Sequence, residues 1–172
     1  FFAEEQRLAA ALVRIASKPP RTLPEVTASL VEKLTGALHA DELQTKAVRL
    51  ALENRLAVIS GGPGTGKTTT VVLILECLLE ENKDLSIYLA APTGKATSRM
   101  RQSIVAMTQG PIAGNFPRMK EVVSEETAQG APRRVEEHTI HKWLVKKTPS
   151  GEKPSADNPL PADVLIIDEA SM

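Results

Sequence analysis

Residues 61–70 read GGPGTGKTTT, and no other stretch of the chain narrows its possible folds as sharply. Gly61, Gly62, Pro63, Gly64, Thr65, Gly66, Lys67 and Thr68 fit G-x-x-x-x-G-K-[ST], a loop whose backbone N–H groups converge on phosphate oxygens. Glycine lets the backbone approach an anion closely and adopt positive φ. Such a loop needs a buried strand before it and a helix after it, because the first turn of the helix adds free N–H groups and the positive end of its dipole. Both flanks are readable. "LAVIS" (56–60) is a short continuous apolar run, the pattern of a strand buried on both faces. "TTTVVLILECLLEE" is apolar on nearly every side, which predicts a deeply buried helix.

The pattern repeats downstream. "LSIYLAA" (85–91) predicts a second strand, "PTGKATSRMRQSIVAM" a turn and a helix with Met100, Ile104 and Met107 on one face, and "DVLII" (163–167) a third strand. Strand, helix, strand, helix and strand predict an α/β fold with a parallel sheet. Ahead of this lies a small helical segment. Leu8, Leu12 and Ile15 mark one helix, stopped by Pro19 and Pro20; Val26, Leu30 and Leu34 mark a second, from Pro24 to Gly36. A third opens at Asp41, where "DELQ" has the form of a capping box with Gln44, and runs to about Asn54. The Gly- and Pro-bearing stretches 109–137 and 148–161 read as loop insertions, disordered in part or excursions on the surface.

Composition limits what such a chain does. Lys plus Arg and Asp plus Glu both number 21, so contact with nucleic acid must rely on local groups, with no overall basic field. With 3% aromatics among 172 residues, the core must be built from Leu, Val, Ile and Ala. The single cysteine, Cys77, rules out an internal disulfide and suits a reducing cytoplasm. No apolar run is long enough to suggest a membrane span.

A second acidic feature joins the glycine loop. "VLIIDEAS" places Asp168 and Glu169 after four apolar residues, the Walker B layout. In this reading Lys67 reaches the β- and γ-phosphates, and Thr68 and Asp168 hold Mg²⁺. Glu169 acts as general base on the attacking water. The second carboxylate favours ATP hydrolysis over binding alone. GTP is disfavoured because no N-K-x-D guanine signature is present.

"VISGGPGTGKTTT", "LAAPTGKAT", "TIHKWL" and "NPLPADVLIIDEASM" follow one another in this order. Together they resemble the alpha subunit of bacterial exodeoxyribonuclease V, the RecD-type superfamily 1 DNA helicases. The resemblance is strongest over 56–100 and 159–172. It implies a RecA-like P-loop domain over 41–172, incomplete after Walker B, behind a helical segment at 1–40. It implies ATP, Mg²⁺ and single-stranded DNA as ligands, and possible partnership with the other two subunits of a nuclease–helicase. In the family, a strand carrying a later Gly-Asp-x-x-Gln motif lies between the P-loop and Walker B strands, and an arginine finger comes from a second motor domain. This chain alone is therefore expected to hydrolyse ATP very slowly.

The resemblance also assigns individual residues. Gln44 matches the Q-motif position, which would read the adenine edge, although the capping box explains the same residue. Gly62 to Thr69 line the nucleotide. Pro92, Thr93, Gly94 and Lys95 match motif Ia on the DNA backbone, where an ordinary strand-to-helix turn is the other reading. Thr139 and His141 match a T-x-H motif near the DNA path, but Lys142-Trp143-Leu144 replaces the usual Arg-Leu-Leu. Trp143 either stacks on a base or belongs to the core. His138 and His141 lack the further ligands of a zinc site. A nucleotide kinase and a docking module without hydrolysis are the competing functions. The kinase would need clustered arginines, and only Arg133 and Arg134 are paired.

Overall fold

The computed structural model describes residues 2–62, 64–125 and 134–170. They fall into two compact units, residues 1–81 and 82–172.

The first unit is helical. α1 (Phe2–Ala16) follows the Leu8, Leu12, Ile15 stripe and ends ahead of the two prolines, yet none of its residues is buried. α2 (Glu25–Ala37) enters through Pro24, whose φ of −56° suits a helix start. Its buried face is Thr27, Val31, Leu34 and Thr35, one step round from the expected one, and Val26 is 69% exposed. α3 (Glu42–Glu53) begins with a complete capping box. The Asp41 side chain accepts the Gln44 N–H at 2.7 Å, and the Gln44 side chain accepts the Asp41 N–H at 3.0 Å. α4 (Lys67–Glu81) packs on α2 and α3 and is buried on successive residues from Val72 to Cys77. Burial, reinforced by Glu76, Glu81 and Glu80, pushes the Cys77 thiol up to about 12, which makes it inert.

Arg21 ties the helix ends of this unit together. Its backbone N–H donates to the Glu53 carbonyl at 2.7 Å and its Nε to the Leu52 carbonyl at 2.6 Å. Its Nη1 and Nη2 grip the Glu81 carboxylate at 2.6 and 3.1 Å, and Thr27 donates to the same carboxylate at 2.7 Å. Burial alone would raise the Glu81 pKa. The hydrogen bonds from Arg21 and Thr27 outweigh it and leave the pKa below its usual 4.5.

The strand expected at 56–60 does not form. Val58 is 88% exposed. An apolar run signals burial, but a strand also needs a neighbour to complete its ladder. Among the described residues none pairs with this segment.

The second unit carries the sheet. β1 (Ile87–Ala91) lies between β2 (Val135–Thr139) and β3 (Val164–Ile167), all parallel. Ile87 is opposite Val135 on one side and Val164 on the other. All five residues of β1 are buried, as its apolar sequence requires. α5 (Gly94–Gln109) packs on β1 and β2 through a face that includes Met100 and Ile104. α7 (Ile140–Val145) follows β2 directly. Its Trp143 stacks on Tyr88 with ring centroids 4.1 Å apart and donates Nε1–H to the Leu89 carbonyl at 3.0 Å. Trp143 is therefore a core residue, not a base-stacking one.

Two features of this unit escape sequence reading. β2 is "VEEHT", too charged to read as a strand, but it is an edge of the described sheet and its charges are paired. Glu137 meets Arg101 at 2.9 Å, and Glu136 meets Lys146. Part of 109–137 is helix, not loop. A 3₁₀ turn (Ala113–Asn115) leads into α6 (Pro117–Glu125), which packs on α5. Phe116, Met119, Val122 and Val123 are buried there at helical spacing, a signal masked by the surrounding glycines and prolines. Residues 126–133 of that stretch, which include Arg133, lie outside the described residues. The stretch 148–161 is a surface excursion organised by Asn158. Its Nδ2 donates to Thr148 Oγ1 at 2.8 Å and to the Lys153 carbonyl at 3.2 Å, and Thr148 is buried.

Two outcomes follow from this packing. Phe116→Ala should cost about 3–5 kcal/mol in urea unfolding, as for a core aromatic; a loop insertion would lose almost nothing. Glu81→Gln should cost no more than about 1 kcal/mol at pH 7, because the pair is partly exposed. The folded-state pKa lies below the unfolded one, so this contribution is present above pH 4.5 and disappears as pH falls through the folded value. Melts of wild type and variant should differ at pH 7 and converge in acid.

Candidate nucleotide-binding site

The glycine loop in the first unit opens directly into α4, whose first residue is Lys67. Gly64 and Gly66 both have φ of +75°, a region that side-chain-bearing residues rarely enter. A Cβ on Gly61 would come within 2.6 Å of Thr65 Oγ1. The loop is closed on itself. Lys67 Nζ donates to the Gly61 and Gly62 carbonyls at 2.7 and 2.8 Å, and Thr65 Oγ1 donates to the Gly62 carbonyl at 2.9 Å. The Gly66 carbonyl accepts from the Thr70 N–H at 2.9 Å, which joins the loop to the helix ladder. Gln44 reaches in from α3, its Nε2 donating to the Thr65 carbonyl at 3.1 Å. Thr68 and Thr69 are half-buried on the first turn of α4. Pro63 lies outside the described residues.

In the second unit the three remaining groups of candidates share one end of the sheet. Pro92, Thr93, Gly94 and Lys95 follow the C-terminus of β1. Thr139 closes β2, with His141 two residues on, and Asp168 and Glu169 follow β3. The register makes this explicit: Ala91 pairs with Thr139, and Ala90 with Ile167. The carboxyl ends of parallel strands are where open α/β sheets place their ligands. The Asp168 N–H continues the ladder to the Ala90 carbonyl at 2.9 Å, and its Oδ1 accepts the Glu169 N–H at 2.9 Å. Glu169 has φ of +54°, a left-handed conformation that costs a non-glycine residue about 1 kcal/mol or more. Strain of this kind gathers at functional positions. Hydroxyl and carboxylate oxygens such as those of Thr68 and Asp168 are hard donors of the kind Mg²⁺ selects.

A family model described as "AAA domain" matches residues 44–172. The chain belongs to the AAA domain family. This AAA domain is 40% identical over 132 residues to the RecBCD enzyme subunit RecD of Haemophilus influenzae, a match over 75% of this chain and 19% of that protein. It is 31% identical over 180 residues to the RecD subunit of Mycolicibacterium smegmatis, covering 100% of this chain and 29% of that one. It is 30% identical over 158 residues to the ATP-dependent RecD2 DNA helicase of Deinococcus radiodurans, covering 92% and 15%. The resemblance to RecD-type helicases read from the motifs is thus met along most of the chain. The chain spans less than a third of the length of each of these relatives.

Several candidate residues of the AAA domain have a second, local task. Thr93 caps α5, its Oγ1 accepting the Ala96 N–H at 3.2 Å, and Thr139 caps α7 by accepting the Lys142 N–H at 3.2 Å. Gly94 has nothing within 4 Å of where a Cβ would stand, so packing does not demand glycine there. Lys95 and His141 are exposed. His138 tilts against Trp143 at 4.7 Å, and among the described residues no group of three or more His, Cys, Asp or Glu could hold a metal ion. The contact between Gln44 and Thr65 was not readable in advance, since 21 residues separate the two.

The capping geometry makes a prediction. Thr139→Ala should lower stability by about 1 kcal/mol through the lost cap, whereas His141→Ala, on an exposed side chain, should stay within about 0.5 kcal/mol of wild type. Thermal unfolding of the two variants without DNA checks this.

Proposed function

We propose that this AAA domain belongs to an ATP-dependent DNA helicase of recombination and repair, in which ATP hydrolysis drives movement on single-stranded DNA. The observation that carries nucleotide binding is the phosphate loop itself, two glycines at φ +75° feeding straight into a buried helix that begins at Lys67. The helicase part of the reading rests on the likeness to RecD-type proteins along most of the chain. Residues 41–172 are read as the first motor domain, with 1–40 as a helical preface. Gly62, Pro63, Gly64, Thr65, Gly66, Lys67, Thr68 and Thr69 enclose the triphosphate. Lys67 exchanges its carbonyl partners for the β- and γ-phosphates, a charge-assisted bond in place of neutral ones. Thr68 and Asp168 each offer an oxygen that would suit Mg²⁺, whose charge would offset that of the phosphates. Glu169 orients the attacking water and takes its proton.

Pro92, Thr93, Gly94, Lys95, Thr139 and His141 meet the DNA backbone at the strand ends. The relatives named RecBCD enzyme subunit RecD support a place as one subunit of a larger enzyme, and the single cysteine of the sequence suits the cytoplasm. No helix among the described residues is long and apolar enough to cross a membrane.

Lys67→Ala should weaken Mg-ATP binding by about 1.5–3 kcal/mol. Glu169→Gln should keep binding and abolish turnover. Single-stranded DNA should stimulate phosphate release by the complete helicase that carries these residues, and residues 1–172 alone should bind it weakly, with strong salt dependence and little sequence preference. The polypeptide of residues 1–172 alone should turn over very slowly, because these residues hold no recognisable arginine-finger motif to offset transition-state charge. Equal ATP affinity of wild type and Lys67→Ala would refute the loop assignment. Transfer of phosphate to a nucleoside monophosphate would point to a kinase instead.

A further inference from the structure

Gln44 has both ends of its amide engaged. Oε1 accepts the Asp41 N–H at 3.0 Å, while Nε2 donates to the Thr65 carbonyl at 3.1 Å. One partner is a donor and the other an acceptor, so only this orientation of the amide satisfies both. The position of the side chain is fixed from below as well, because the Gln44 backbone N–H donates to Asp41 Oδ1 at 2.7 Å. The amide is thus a rigid strut from the first turn of α3 to one peptide of the phosphate loop.

The peptide it holds matters. A trans peptide is planar, and its C=O and N–H point in opposite directions. Fixing the Thr65 carbonyl on Gln44 therefore aims the Gly66 N–H the other way. The next peptide is also pinned, since the Gly66 carbonyl accepts from Thr70 N–H and Oγ1 at 2.9 and 3.2 Å. Gly66, at φ +75°, is the swivel between these two anchors. The positive φ calls for glycine at 66, and a Cβ there would run into Gln44 Nε2 and push the end of that side chain off the Thr65 carbonyl. Left without the strut, the Thr65–Gly66 peptide could rotate, and its N–H would lose its direction.

We infer that Gln44 is a positioning residue for the phosphate loop: by holding the Thr65 carbonyl it aims the Gly66 N–H at the phosphates, whatever base the nucleotide carries. The inference rests on the nucleotide-binding reading above.

The test compares ATP, GTP and inorganic tripolyphosphate as ligands of the wild-type protein and of Gln44→Met, Gln44→Ala and Gln44→Glu, by calorimetry with Mg²⁺. Gln44→Glu keeps the capping box, because glutamate at this position accepts the Asp41 N–H equally well, but it cannot donate to Thr65. Gln44→Met removes the donor without adding charge. Positioning predicts that each variant loses affinity for all three ligands by a similar factor, about 5-fold for Gln44→Met. It also predicts that Gln44→Glu does so with its melting temperature unchanged, and that in turnover the loss falls on KM more than on kcat.

If the variants lose ATP affinity but hold tripolyphosphate as wild type does, and the preference for ATP over GTP vanishes, Gln44 reads the base and the inference is overturned. Wild-type affinities in Gln44→Glu would reduce the residue to a helix cap and overturn it too. Failure of the wild-type protein to bind any of the three ligands would instead remove the nucleotide-binding reading itself, and this inference with it.

Discussion

Parallel pairing on both sides of Ile87–Ala91 governs the second unit. The strand is buried along its whole length and gives its main-chain groups to Val135–Thr139 on one side and Val164–Ile167 on the other. Because all three strands run the same way, every segment that leaves the sheet does so at the same end. Residues 92–95, 139–141 and 168–169 lie far apart in the chain and become neighbours of one rim for that reason alone. The rim is therefore a product of the pairing pattern and not of attraction between its side chains.

The first unit solves a different problem, that of holding a loop with few side chains in one shape. Its glycines lose more freedom on ordering than any other residue. The structure compensates through anchors on either side. α4 is buried on nearly every face and cannot shift, and the Arg21 clamp on Glu81 fixes its far end against α3. The loop then closes through Lys67, Thr65 and Gln44 onto its own carbonyls.

The same residues that look functional also hold the architecture. Thr93 and Thr139 cap the helices that start at the rim. A hydroxyl used in this way is fixed in place before any ligand arrives, which lowers the ordering cost of a contact. Glu169 also has a local bond at the rim: its left-handed backbone is accompanied by an N–H donated to Asp168 Oδ1.

How much was legible differs by element. The P-loop, Asp168 and Glu169, the buried α4, the capping box at Asp41 and the strands at 87–91 and 164–167 were all readable, because each is encoded by residues adjacent in the chain. The strand expected at 56–60 was misread, since apolarity predicts burial but pairing depends on a partner elsewhere. β2 was missed because its charges are offset by Arg101 and Lys146, which sequence spacing does not reveal. α6 was missed because flanking glycines and prolines outweighed a short helical stripe. The sequence by itself determined the chemistry available: the phosphate loop, the paired carboxylates and the absence of an overall charge. Only the tertiary structure decided that residues 92–95, 139–141 and 168–169 share one rim of the sheet, that Trp143 is core, and that Gln44 touches Thr65. Those outcomes depend on packing between distant segments, which no local pattern contains.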